Sequence, residues 1–435
     1  MNRRRFVNST IGLVAGVGLA QKLDPLFGRG ASTRTLPGQS LQSDNPFTPS
    51  DTRFWSFVRK QFPLTDERTY LNTGGLGSSP LAVIDAVKAE IDKLEEIGET
   101  GHTDALWKEI KSSAGELLGC DGDELAFVRN ATEGINVVAN GLPLKRGDEI
   151  ITSTHEHVAN QFTWLVGQKR KGYILKSFEP SRVSGQANLE LIERLITPRT
   201  RLINLAHITC TTGQIMPVKE IADLARSRNI WFFMDGAQSA GMMPFNLHDI
   251  GCDAYTTSGH KWLLGPKETG LLYVRKEMLD TIKAKFVGAY STDDYHPRSG
   301  KYTFNPTAER YEYGTVSTPL RVGLHSAIRF IRDIGIENVW RHDKSLAAHL
   351  YSELEKIPDI ELLSPMNDED SGAMVTFKHR KIGYNEVEQR LGKANFRTRG
   401  VGEDHLDAIR ISTHVYNNIE EVERLLDNVR QLSAA

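Results

Sequence analysis

Lys261 stands in the stretch TTSGHKWLLGPKETG, at the junction of two short apolar runs, DAYTT and GLLYV. A lysine amine is a nucleophile only when neutral, and its characteristic covalent reaction is a Schiff base with an aldehyde. Asp235 ends the unbroken apolar run IWFFM, where a buried carboxylate is costly unless a cation meets it. An aspartate at a strand end also serves as a helix cap or turn former. In RNATEGIN, Ala131 and Thr132 open a helical pattern directly after the strand-like ELAFV. A helix N-terminus offers an anion unpaired N–H groups and a favourable dipole, although threonine there is also an ordinary cap.

An amine for an aldehyde, a carboxylate for a cationic heterocycle and a cradle for an anion are the three demands of pyridoxal 5'-phosphate (PLP). Its Schiff-base carbon, pyridine nitrogen and phosphate need these partners respectively.

The elements that would hold these residues are legible as an alternation. Between Tyr70 and Val274, ELAFV is followed by ATEGINVVANGL, DEIITS by HVANQFTWLVGQKR, and RLINLAHI by VKEIADLARSR, with IWFFM next. Short apolar runs alternating with longer amphipathic ones predict βαβ units and a mainly parallel sheet flanked by helices. IWFFM reads as a central strand buried on both faces, so Asp235 falls at its carboxyl end, where open α/β sheets bind ligands. After Ser317 the pattern changes to a long helix, a few short strands and a last helix, IEEVERLLDNVRQL, with Asn418 and Glu421 spaced as a capping box. The expected organisation is an α/β domain over residues 66–316 and a smaller α+β domain over 317–435, preceded by an arm over 36–65.

The 435 residues suit more than one core, and hydrophobic (39%) and charged (25%) contents are those of ordinary globular chains. Basic and acidic side chains nearly balance, 53 against 55, with no long basic stripe beyond the N-terminus, so nucleic acid is not an expected partner. Three scattered cysteines, Cys120, Cys210 and Cys252, form no C-x-x-C pair and exclude a zinc ribbon or disulfide framework; no metal is expected. At the N-terminus, Arg3-Arg4-Arg5-Phe6-Val7 precedes about a dozen weakly apolar residues, too short to span a bilayer. This resembles a twin-arginine signal within residues 1–35, so the twin-arginine export machinery is an expected partner and the periplasm the expected destination.

SGHKWLLGPKETGLLYV, DGAQSAG, EHVAN, HITCTTGQIMPVKEI, YEYGT and IRISTHVYNN occur in the order and at about the spacing of class V aminotransferases. The chain resembles that family, fold type I PLP enzymes including cysteine desulfurases, kynureninase and isopenicillin N epimerase, over roughly residues 66–432. The resemblance implies that Lys261 forms the Schiff base and later moves protons at the substrate α-carbon. It implies that Asp235 pairs with the pyridine nitrogen, that Gln238 reaches the ring's phenolic oxygen and that His157 stacks on the ring. A histidine in a strand-to-helix loop is otherwise most often exposed. It further implies that Ala131, Thr132, Ser258 and His260 hold the phosphate, and that Gly314 and Thr315 reach the phosphate of a neighbouring subunit in a homodimer with shared active sites. Arg410 matches the arginine that clamps a substrate carboxylate, a task its bidentate fork suits. Thr209 and Cys210 stand where desulfurases show a Ser-Asn pair.

Desulfurases also carry a nucleophilic cysteine just upstream of the carboxylate arginine, and RTRGVGEDHLDAIRIS has none. The resemblance without that cysteine implies transamination or epimerisation of an amino acid, or of the amino-acid group of a peptide, through an external aldimine. With the export signal, it fits periplasmic tailoring of a pyoverdine-type siderophore. A C–S β-lyase and a non-catalytic binding protein of the same fold are the alternatives.

Overall fold

The computed structural model describes residues 47–365, 367 and 369–434. The expected export signal and the first part of the arm lie outside the described residues, and no described helix is long and apolar enough to cross a membrane.

Seven strands form the central sheet: β1 (Leu125–Val128), β2 (Glu149–Ser153), β3 (Ile174–Phe178), β4 (Thr200–Ala206), β5 (Trp231–Asp235), β6 (Ala254–Ser258) and β7 (Gly270–Val274). Their order is β1-β7-β6-β5-β4-β2-β3. All neighbours are parallel except those of β7, which runs against both β6 and β1. The expected mainly parallel α/β sheet is therefore present. Strand β5 lies between β4 and β6 with Ala206, Asp235 and Thr256 in one register row. Residues 232–235 are buried, as a strand covered on both faces requires.

The helices are α1 (Thr52–Arg59), α2 (Leu81–Ile97), α3 (Asp104–Leu118), α4 (Ala131–Gly141), α5 (Val158–Lys171), α6 (Gly185–Leu195), α7 (Val218–Ser227), α8 (Leu247–Ile250), α9 (Thr318–Ile334), α10 (Ile336–Leu354), α11 (Tyr384–Lys393) and α12 (Ile419–Ala434). Their apolar faces explain their seats. In α7, Val218, Ile221, Ala222 and Ala225 recur at helical spacing and pack with Phe232 and Met234 of β5. The Asn418–Glu421 box forms as expected: Asn418 Oδ1 accepts from the Glu421 amide at 2.9 Å, and Glu421 Oε2 accepts from the Asn418 amide at 3.3 Å.

A second sheet, entirely antiparallel, contains β8 (Ile360–Leu362), β9 (Met374–His379), β10 (Arg399–Val401) and β11 (Ala408–Ser412) in the order β8-β9-β11-β10. Arg410 on β11 lies directly across from Arg399 on β10. The segment after α1 runs past this sheet: Thr69–Tyr70 pairs in parallel with Phe396–Arg397, and the Leu71 carbonyl accepts from the Ser412 amide at 2.8 Å. This path delivers residues 72–77 to the carboxyl ends of β5 and β6. An exposed hairpin pairs Thr292–His296 with Lys301–Phe304, Tyr295 lying across from Tyr302.

Candidate active site

Strand β5 stops at Asp235 because the DGAQSAG turn begins there; Asp235 Oδ1 accepts from the Ala237 amide at 2.9 Å. The residue is both turn former and buried charge, 5% exposed, and burial raises its carboxyl pKa against the pull of the Lys261 ammonium. Lys261 lies three residues beyond β6 in the turn that leads to β7. It is 9% exposed, and burial depresses its amine to about 8, with Asp235 pulling the other way. A lysine so placed has an accessible neutral form, the state a Schiff-base nucleophile needs.

His157 is half-buried at the N-cap of α5, where its Nδ1 accepts from the Ala159 amide at 3.2 Å. Burial first, then the Lys261 charge, depress its imidazole to about 4, leaving it uncharged at neutral pH. An uncharged plane can lie against a heteroaromatic ring without placing a second cation beside Lys261.

Helix α4 starts at Ala131, as expected, but its cap is Asn130 and not Thr132: Asn130 Oδ1 accepts from the Glu133 amide at 3.1 Å. Thr132 is exposed, free of capping duty. Ser258 Oγ, 3.0 Å from the Ala131 amide, joins the end of β6 to the start of α4. His260 is half-buried, its Nδ1 has no hydrogen-bond partner among the described residues, and burial depresses its pKa to about 4.

Gln238 is buried: its Nε2 donates to the Gly74 carbonyl at 2.9 Å and its Oε1 accepts from Trp262 Nε1 at 2.8 Å. Arg410, 1% exposed, donates to the Cys210 carbonyl at 2.6 Å and to Asn72 Oδ1 at 3.1 Å. Asn72 and Gly74 of the segment 72–77 lie against its guanidinium. A Cβ on Gly74 would lie 2.9 Å from Arg410 Nη2 and 3.1 Å from Gln238 Oε1, so a side chain there would have to displace the guanidinium.

Thr209 is a turn residue, its hydroxyl 2.9 Å from that of Thr212 and accepting from the Gln214 amide at 3.0 Å. Cys210 offers its carbonyl to Arg410, and burial holds its thiol up at about 11. Thr315 is exposed, and no atom lies within 4 Å of a Cβ built on Gly314. Their neighbour Tyr313 donates to Glu133 Oε1 at 2.9 Å, which anchors the segment beside the first turn of α4.

The sequence reading missed several groups. Arg399 also approaches the Cys210 carbonyl, at 3.4 Å, and is ion-paired with Glu403, a group four residues on whose carboxyl Arg399 lowers. Their signal was present in FRTRGVGE but had no motif. Glu156, inside EHVAN, is buried and bound to Ser153 Oγ (2.7 Å), Asn160 Nδ2 (2.8 Å) and the Ala206 amide (3.1 Å), and burial pushes it up to about 7.

These residues fit PLP. The buried Asp235 has a single backbone partner, the buried Lys261 is partly neutral, the His260 ring has an unpartnered nitrogen, and α4 opens beside Ser258. When bound, the cofactor supplies an electron sink for negative charge at a substrate's α-carbon.

The family model described as Aminotransferase class-V matches residues 70–425. The chain belongs to the class V aminotransferase family. As a family member it is a PLP-dependent enzyme. A cysteine desulfurase from Haloferax volcanii is 28% identical over 393 residues, covering 84% of this chain and 89% of its own length. The isopenicillin N epimerase of Amycolatopsis lactamdurans is 29% identical over 399 residues, covering 87% of this chain and 98% of its own length. Among solved structures, a cystine C–S lyase in complex with its reaction product cysteine persulfide superimposes with a TM-score of 0.78 at 27% identity, covering 85% of this chain and 99% of its own. This member of the class V aminotransferase family thus shares fold and cofactor with enzymes of differing outcome.

Proposed function

We propose that this class V aminotransferase removes and returns a proton at the α-carbon of an amino acid, or of the amino-acid group of a peptide, ending in transamination or epimerisation. Lys261 anchors PLP and carries the proton, Asp235 holds the pyridine nitrogen protonated, and Gln238 and His157 hold the ring's oxygen and face. Ala131, Thr132, Ser258 and His260 bind the phosphate, with Gly314 and Thr315 of a second copy completing it in a homodimer. Arg410 takes the substrate carboxylate. One observation carries the choice of outcome: the loop between Val401 and Ala408 holds Glu403, Asp404 and His405 and no thiol, while the Cys210 thiol nearby is buried and pushed up to about 11. A thiol held protonated is a poor sulfur acceptor, so persulfide transfer lacks its nucleophile.

A second reading, C–S β-lysis, is favoured by the likeness to the cystine C–S lyase, since elimination needs no enzyme thiol. The deciding experiment incubates the holoenzyme with a panel of amino acids and aminoacyl peptides, with and without pyruvate. Transamination consumes substrate only with the keto acid, epimerisation yields the opposite stereoisomer alone, and lysis releases pyruvate and ammonia from cystine. Alanine with enzyme-bound sulfane sulfur from cysteine would overturn the reading.

The Arg3-Arg4-Arg5-Phe6 motif supports twin-arginine export to the periplasm, and with it tailoring of a pyoverdine-type peptide. Replacing all three arginines with lysine is expected to leave the protein in the cytoplasm on fractionation; unaltered periplasmic recovery would refute the signal.

A further inference from the structure

Asp343 of α10 and His414, two residues beyond β11, form a hydrogen-bonded pair whose side chains are both fully buried. None of the roles assigned above uses them. His414 Nδ1 lies 2.7 Å from Asp343 Oδ2, and His414 Nε2 lies 3.0 Å from the main-chain oxygen of Trp262, the residue after Lys261. A carbonyl oxygen only accepts, so Nε2 carries a hydrogen, and one further proton lies between Nδ1 and Oδ2. Asp343 Oδ1 has no hydrogen-bond partner among the described residues. A buried carboxylate satisfied on one side is weak support for stability, since apolar residues of similar volume serve a core as well or better.

The network explains what the pair could be for. From Trp262 it continues through the indole Nε1 to Gln238 Oε1 (2.8 Å), and from Gln238 Nε2 to the Gly74 carbonyl (2.9 Å). Gly74 packs against the guanidinium of Arg410. His414 is four residues after Arg410 on the same strand and turn. The path therefore closes on itself: Arg410, β11, His414, Trp262, Gln238, Gly74 and Arg410 again.

We propose that Asp343 and His414 are positioning residues that hold the Lys261 turn in register with the Arg410 strand, keeping the amine and the carboxylate clamp at a fixed separation. The inference rests on the reading of Lys261 as cofactor anchor and Arg410 as clamp. Asp343 orients the imidazole and His414 grips the peptide unit next to Lys261. A shift of about 1 Å between reacting groups costs roughly 100-fold in rate, so such a tie has a measurable effect without touching substrate.

The test reconstitutes His414→Leu, Asp343→Leu and Asp343→Asn with PLP. It reads the visible circular dichroism of the bound cofactor, its dissociation constant, and KM against kcat on an amino acid that the wild type consumes. Leu350→Ala, a truncation in the core of the same helix, is the stability control. Both leucine variants are expected to alter the dichroic band, weaken PLP binding about tenfold and lower kcat by roughly 10- to 100-fold. Asp343→Asn should recover most of each, because the amide can donate to Nδ1 and leave the Nε2 hydrogen facing Trp262. Leu350→Ala should lower the melting temperature with the band unchanged. If the leucine variants behave like Leu350→Ala, the pair is core filling and the proposal fails. Should they not fold, His414→Gln, which keeps polarity but cannot span both partners, is read against the same outcomes. A wild-type apoenzyme that takes up no PLP would overturn the cofactor reading and this inference with it.

Discussion

Lys261→Ala should purify without the visible absorbance band of the lysine-linked cofactor and should lose turnover by about 10⁴-fold, the upper range for a positioned acid–base group. Both readouts follow from one side chain, since the same amine is the covalent anchor and the proton carrier proposed here. The apoenzyme offers a second check. Below about pH 8 the Lys261 amine of the wild type is protonated, and above it the amine is free, so the rate at which added PLP is captured should rise with pH through about 8. Burial that moves the amine from 10.5 to about 8 costs the apoprotein roughly 3 kcal/mol below pH 8, because folding then requires a charged amine in a dry site. The penalty fades between about 8 and 10.5, where the unfolded chain is still protonated and the folded one is not. Lys261→Ala apoenzyme is therefore expected to melt no lower than wild-type apoenzyme at neutral pH. A variant that keeps the visible band, or turns over normally, would remove Lys261 from the site.

Asp235→Asn is the second large effect. The amide preserves the shape of the turn, and its oxygen can still accept from the Ala237 amide, but it cannot hold a pyridine nitrogen in its protonated form. PLP should still bind, while turnover falls by about 10²- to 10⁴-fold. The variant also makes a prediction for its neighbour. The Asp235 carboxylate raises the Lys261 pKa against burial, so its loss should move the pH midpoint of PLP capture below about 8. Stopped-flow absorbance across pH measures that midpoint. A midpoint unchanged from the wild type would mean that the two groups do not share a site.

Placing these residues on strands and turns required little beyond the sequence. IWFFM is continuous and apolar because β5 is covered on both faces, and a charge at its end had to be a turn residue, a functional group or both. Asp235 is a turn former with a buried carboxyl. The α4 start was legible for a similar local reason, although its cap is Asn130, leaving Thr132 free; a one-residue difference in which polar side chain faces the helix amides is set by backbone angles that pattern does not report. The burial of Arg410 was not legible from its strand. Its strand alternates, but residues 72–77 cover the face on which it lies, and that covering comes from a segment more than 330 positions away in the chain.

The cysteine argument shows the same limit. No cysteine lies near Arg410 along the chain, yet the Cys210 carbonyl receives its hydrogen bond. Closeness in sequence answered the question about the loop, whereas the state of the nearby thiol depends on burial, which is a property of the packed interior.

Residue types, short-range spacing and apolar periodicity therefore carried the α/β class, the order of elements, and the placement of Lys261 and Asp235 in turns after strands, because strands, turns and helix starts are local consequences of local sequence. The tertiary structure alone decided that Lys261 is partly neutral, that His157 is uncharged, that Arg399 with Glu403 stands beside Arg410, and that Asp343 and His414 grip the lysine's turn. Each of these depends on desolvation and on charges brought together from distant segments, and the free energy of a buried charge is set by everything packed around it.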